Sequence, residues 1–290
     1  MTTTLTRETP GATLVYDVRG PLPPADGRPP LLMVASPMDA SGFATLASSF
    51  GDRTVVTYDP RGIGRSIRQD GRTDQDAEQQ AEDLHSIIGA LDAGPVDIFA
   101  SSGGAVSALA LVAAHPGDVR TLVAHEPPML TMLPDADRAL AAEREVQTAY
   151  AEAGFGAGLA RFIALTSWQG EFTDDFAAQP APDPAQFGLP TEDDGSRDDP
   201  LLSGASNAIT RYRPDFDALV AAPTRVVIAA GIESQGTLTG RTAAAAADAL
   251  GQPLTIFPSN HAGFLGGEFG QRGEPEAFAA RLREVLATGD

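Results

Sequence analysis

Six short apolar runs constrain this chain more than any other feature. They are LLMVAS (31–36), RTVVTYD (53–59), PVDIFAS (95–101), VRTLVAH (119–125), TRVVIAA (224–230) and PLTIF (253–257). None shows helical spacing, and each has the length of a buried strand. Helical stretches lie between several of them. In DQDAEQQAEDLHSIIGALDAG, residues Ala77, Ala81, Leu84, Ile88 and Leu91 recur every three or four positions and share one face. GAVSALALVAAHPG is apolar nearly all round, which predicts a buried helix ended by Pro116-Gly117. EPEAFAARLREVLA places Phe278, Leu282, Val285 and Leu286 on one face. Continuous apolar strands alternating with helices imply a parallel sheet covered on both sides. The N-terminal TLTRE-TPG-ATLVYDV instead reads as an antiparallel hairpin leading into that sheet. The expected class is α/β: a mostly parallel, eight-stranded sheet flanked by helices.

The alternation stops after residue 127. Residues 128–222 hold helix-like pieces (ADRALAAEREVQTAYAEAG and GLARFIALTSW) and a Pro-, Asp- and Gly-rich stretch over 178–204, without a convincing strand. A long irregular segment inside a compact domain is usually a lid or a binding loop. The expected organisation is a core of residues 1–127 and 223–290, with residues 128–222 inserted as a helical cap.

Charge and composition narrow the partners. The 290 residues include 39 acidic and 20 basic side chains, all the basic ones Arg, for a formal charge of -19. Such a field repels phosphate backbones and anionic lipid surfaces. Neither nucleic acid nor membrane is an expected partner; a small-molecule substrate is. A homodimer is allowed and not specified. There is no cysteine, so disulfides, thiolate metal sites and a Cys nucleophile are excluded. The opening MTTTLTRETPGATLVYDV has no apolar signal core, and no apolar run approaches the roughly 20 residues of a membrane span. A cytoplasmic location is the expectation.

Residues 98–106 read IFASSGGAV. In an open parallel sheet, ligands gather at the carboxyl ends of the strands. A strand turning sharply into a helix around Ser is the geometry of a nucleophile elbow. Such a turn crowds the neighbours two positions away on each side, so both must be small. For Ser102 they are Ala100 and Gly104; for Ser101 one would be Phe99. Ser102 is therefore the candidate nucleophile. The plainer reading is a Ser-Gly turn that caps a helix.

A serine hydroxyl needs a base, and the base needs an orienting acid. Of the four histidines, His85 falls in mid-helix and His115 near a helix end. His125 ends a strand and competes. His261, in the loop after the last strand, can reach Ser102 from the far half of the sheet, and geometry favours it. Two acids sit at strand ends: Glu126, stiffened by Pro127-Pro128, and Glu233. Oxyanion donors are expected from the N–H of Gly103, at the positive end of its helix, and of Met38, since Pro37 has none.

On these markers the chain resembles an α/β-hydrolase over nearly its whole length. They are LLMVASPMDASGF, the loop YDPRGIGRS, the elbow ASSGG and the late histidine in SNHAGF. The pairing of S-S-G with a Glu shortly after the next strand is similar to lactonases that open the macrolide ring of zearalenone. That similarity implies Glu126 rather than Glu233 as the acid, and ester or lactone cleavage beneath a helical cap. Two departures stand out: Ala100 replaces the usual Gly of G-x-S-x-G, and Ser36-Pro37 stands where many relatives have His-Gly.

The expectation is a serine hydrolase of esters or lactones. Ser102 is its nucleophile, His261 its base and Glu126 its acid, and no metal or organic cofactor is needed. Its mainly apolar substrate would be lined by Met38, Trp168, Phe162 and Phe172. Each of these aromatics alone reads more readily as cap core. Two alternatives use the same fold: hydrolysis of a carbon–carbon bond next to a carbonyl, and non-catalytic binding of a small molecule.

Overall fold

The computed structural model describes residues 2–25 and 27–288. Its centre is a sheet built from β1 (Thr2–Thr9), β2 (Ala12–Arg19), β3 (Leu31–Ser36), β4 (Val55–Tyr58), β5 (Ile67–Arg68), β6 (Val96–Ser102), β7 (Val119–His125), β8 (Arg225–Gly231) and β9 (Thr255–Phe257). The order is β1-β2-β4-β3-β6-β7-β8-β9, with β5 pairing β2. From β4 to β9 every neighbour is parallel, while β1, β2 and β5 pair antiparallel. The sheet therefore has nine strands, not eight. The extra one, β5, has two residues and is too short to leave an apolar pattern. The hairpin turns at Pro10-Gly11, where Gly11 takes the left-handed φ of 76°.

Strand side chains alternate between two cores, as the pleat requires. Leu32, Val34, Ile98, Ala100, Leu122 and Ala124 face one way, against the helices Ala77–Leu91 and Gly103–Ala114. Leu31, Met33, Ala35, Phe99 and Val123 face the other, against Phe43, Leu46 and the helix Pro275–Ala287. Burial on both faces explains the unbroken apolar strands.

The YDPRGIGRS loop is structural. The Asp59 carboxylate accepts from the Ala40 N–H at 2.9 Å, the Arg65 N–H at 2.8 Å and Arg65 Nε at 2.7 Å. Arg61 is buried and paired with Asp83. Asp59 thereby holds the loop that follows β3.

Between β7 and β8 the described residues form no strand. The helix Ala136–Ser167 breaks at Gly154 (φ 80°, ψ −169°). A Cβ there would lie 2.4 Å from Asp193 Oδ1, so the Pro-rich segment packs directly on the break. Leu130, Val146, Tyr150, Leu165, Phe172 and Phe176 belong to a separate apolar cluster in this region. Arg241, in the helix Leu238–Ala249, pairs with Asp135 and donates to the Gly170 carbonyl at 2.8 Å, tying the excursion to the core. Among the described residues no helix is long and apolar enough to cross a membrane.

Candidate active site

Ser102 ends β6 with φ 56° and ψ −134°, a left-handed backbone that a side chain adopts only under constraint. The constraint comes from β3. A Cβ on Gly103 would sit 2.7 Å from Ser36 O, and one on Gly104 would sit 2.5 Å from Ala35 Cα. Small residues are thus required by the neighbouring strand, more than by Ala100 across the turn. The Ser102 hydroxyl makes no hydrogen bond to the helix it precedes. It is not spent on capping, and it lines a cavity of about 640 Å³.

Glu126 follows β7 in the same kind of conformation, with φ 50°. Its N–H donates to Ala229 O at 2.9 Å, which fixes it against β8. The side chain is fully buried. Oε1 accepts from the Gly231 N–H at 2.9 Å; Oε2 accepts from Thr239 Oγ1 at 2.6 Å and meets His261 Nδ1 at 2.7 Å. Burial alone would raise its pKa. The hydrogen bond and charge of His261, with the charge of His125, outweigh that and hold the carboxyl well below its usual range.

His261 sits in the loop after β9. That loop presses on β8: Gly231 leaves room for it, because a Cβ there would lie 2.4 Å from Ser259 O. Glu233 N–H donates to the same Ser259 carbonyl at 3.0 Å. With Nδ1 committed to Glu126, the other ring nitrogen is left for the cavity, which His261 and Ser102 both line. Glu233 is exposed and accepts from Asn260 Nδ2 at 3.1 Å, whereas the ring of His261 is held by Glu126.

The competing histidines lie elsewhere. His125 is fully buried; its Nδ1 is 3.1 Å from Ser101 Oγ, and burial lowers its pKa to about 4. His85 and His115 stack on each other at 3.8 Å, at the opposite end of the helix that Ser102 starts.

Three expected lining residues are corrected. The Met38 side chain does not line the cavity; it rests over Gly42 and packs on the core cluster, leaving Ser36 and Pro37 on the wall. Phe172 is 1% exposed and stacks edge-on against Phe176 at 4.9 Å, inside the apolar cluster between β7 and β8. Trp168 donates from Nε1 to Glu171 O at 3.0 Å and lines a separate shallow groove beside Phe187. Phe162 does line the cavity, with Leu159, Ile163, Leu201, Ile209 and Leu238.

Sequence reasoning missed two supports. Thr239, at the start of the helix Leu238–Ala249, holds Glu126. Gln80 is buried, donates to Ser36 Oγ at 3.1 Å and accepts from Ser107 Oγ at 2.8 Å, joining the end of β3 to the helix after Ser102. Both are polar residues on helices whose partners lie far away in sequence, so only the tertiary pairing identifies them.

A family model described as alpha/beta hydrolase fold matches residues 36–201. An uncharacterized hydrolase, YraK, of Bacillus subtilis (strain 168) is 35% identical over 129 residues. That match covers 44% of this chain and 46% of the relative, so the chain spans about half the length of that curated relative. Among solved structures, a thermophilic esterase from Thermogutta terrifontis aligns over 100% of this chain and 99% of its own, at 20% identity and a TM-score of 0.65. The enol-lactonase from Burkholderia xenovorans LB400 aligns over 98% and 100%, at 17% identity and a TM-score of 0.59. At these identities the structural likeness concerns the fold.

Proposed function

The chain belongs to the alpha/beta hydrolase fold family, and from that we propose that it is a serine hydrolase cleaving carboxylic esters or lactones. One observation carries the reading: a serine hydroxyl held at positive φ, uncommitted to its helix, shares a cavity with a histidine fixed by a buried carboxylate.

Ser102 Oγ attacks the carbonyl carbon as the free nitrogen of His261 takes its proton. Glu126 keeps Nδ1 protonated, orients the ring and stabilises the imidazolium. The negative oxygen of the tetrahedral intermediate is met by the N–H of Gly103, at the start of a twelve-residue helix, and by the N–H of Met38. Collapse breaks the carbonyl–alkoxide bond, and His261 returns the proton to the leaving alkoxide. A water, deprotonated by the same nitrogen, then frees the acid from Ser102. In a lactone both halves leave as one hydroxy acid. These steps use only side chains and water, without a cofactor. The apolar wall suits a mainly apolar, small substrate, and the fold and charge suit a cytoplasmic enzyme.

Ser102→Ala lowers kcat/KM on p-nitrophenyl esters by roughly a thousandfold or more, and a fluorophosphonate labels the native protein at Ser102 alone. A folded protein that refuses the label is a binder instead. Turnover of a 1,3-diketone in preference to the esters transfers the same three residues to carbon–carbon hydrolysis.

A further inference from the structure

The cavity wall supplied by the excursion between β7 and β8 is not uniformly apolar. Glu143 and Gln147 lie one turn apart on the helix Ala136–Ser167, and Asn207 and Thr210 lie on the helix Asn207–Arg211; all four line the cavity. They brace each other: Thr210 Oγ1 donates to Glu143 Oε1 at 2.6 Å, and Gln147 Nε2 donates to Asn207 Oδ1 at 2.6 Å. Around them the wall is mostly leucine, isoleucine, valine and phenylalanine, with the hydroxyls of Ser206 and Thr166 among them. Packing alone would continue that surface, because placing a carboxylate there is unfavourable unless it is fully paired. The pairing is incomplete. Glu143 Oε2 lies 3.0 Å from Arg211 Nη2 but accepts no aligned hydrogen bond. Burial pushes the Glu143 pKa up in spite of the Thr210 hydroxyl and the nearby guanidinium.

The charges on the cavity point the same way. Its lining holds two carboxylates, Glu143 and Glu233, and no arginine among the described residues. Arg211 pairs with Glu143 from outside the lining and Glu233 is exposed, so the lining itself offers acidic charge without a basic partner and disfavours a ligand of the same sign.

We propose that Glu143, Gln147, Asn207 and Thr210 form a subsite for a hydrogen-bond-donating group, hydroxyl or ammonium, on the body of the substrate. The substrate class is then an ester or lactone with an apolar body, a donor group on it and no negative charge. This rests on the hydrolase reading above. The four residues bind and select; the bond is still broken at Ser102.

A length-matched series of p-nitrophenyl phenylacetates tests it, carrying 4-ethyl, 4-hydroxymethyl, 4-aminomethyl or 4-carboxy groups. The native enzyme is expected to favour one or both donor esters over the ethyl ester by about tenfold in kcat/KM, the size of one hydrogen bond to a charged group. The carboxy ester falls below the ethyl ester by a similar factor. A lead for hydroxymethyl identifies a neutral donor, and a lead for aminomethyl a cationic one. Glu143→Gln, which keeps the shape and the acceptor for Thr210, cuts the aminomethyl-to-ethyl ratio at least threefold and relieves the carboxy penalty. Asn207→Leu cuts the hydroxymethyl-to-ethyl ratio and stands in should the first variant fold poorly. Equal kcat/KM for all four esters, with Ser102 still labelled by fluorophosphonate, overturns the subsite and spares the hydrolase. Absence of both label and turnover overturns the hydrolase itself.

Discussion

Two side chains of the site, Ser102 and Glu126, sit at positive φ at the ends of adjacent parallel strands. Each costs on the order of 1–3 kcal/mol to hold there, and each is aimed by it: the hydroxyl into the cavity, the carboxylate across β8 to His261. Glu126 accepts hydrogen bonds from the Gly231 N–H, from Thr239 and from His261. Replacing it by Gln keeps the shape but offers an N–H where Nδ1 must donate. Glu126→Gln is therefore expected to lower kcat by roughly a thousandfold or more, as loss of a triad acid does, with far less loss in Glu233→Gln. Steady-state kinetics on one ester ranks the two; the reverse order would make Glu233 the orienting acid. At this scale the sequence was informative about residue type and strand end. It was silent on Thr239 and Gln80, whose roles depend on which elements meet. It misplaced Trp168 and Phe172, because apolarity says that a side chain is covered, not by what.

The strand β3 shapes the elbow as much as β6 does. Ala35 and Ser36 stand where any Cβ on Gly103 or Gly104 would go, so the helix Gly103–Ala114 can start only on glycine. Gly104→Ala forces backbone apart with no flexible side chain to yield. It is expected to destabilise the fold by about 1–3 kcal/mol, read as a lower urea midpoint at unchanged slope, and to depress activity through displacement of Ser102. Elements of this kind were legible: unbroken apolar runs located the six strands, turn residues the hairpin, and period-3.6 or all-apolar stretches the three helices, to within a few residues. β5 was not, having two residues, one of them exposed and neither in an apolar run. The break at Gly154 left a sign in AEAGFGAG, but its cause, the Asp193 segment lying against it, is a contact between distant stretches.

Across the whole molecule, acid is the weak side. Burial depresses the His125 pKa from 6.5 to about 4, so the unfolded chain binds a proton there that the native state refuses. Stability is full above about pH 6.5 and falls as pH drops toward 4, by about 3 kcal/mol for this group. Glu126, whose folded pKa is also depressed, adds a loss of the same sign below its ordinary value of 4.5. Urea unfolding at pH 7 and pH 5 measures the slope. His125→Leu, which removes the titrating ring from among Phe99, Phe257 and Phe278, should flatten it; an unchanged slope would assign the acid sensitivity to other groups.

Ser102, Glu126 and His261 all hang from the sheet, on β6 and on the loops after β7 and β9, while most of the facing wall is carried by the excursion that leaves after β7 and returns before β8. On the proposed function, reaction and recognition are therefore written in separable stretches of one polypeptide. Insertions, deletions or exchange within the second can redirect what is cleaved while leaving the means of cleavage in register, so descendants of such a chain can diversify their diet by editing a roof instead of rebuilding an engine.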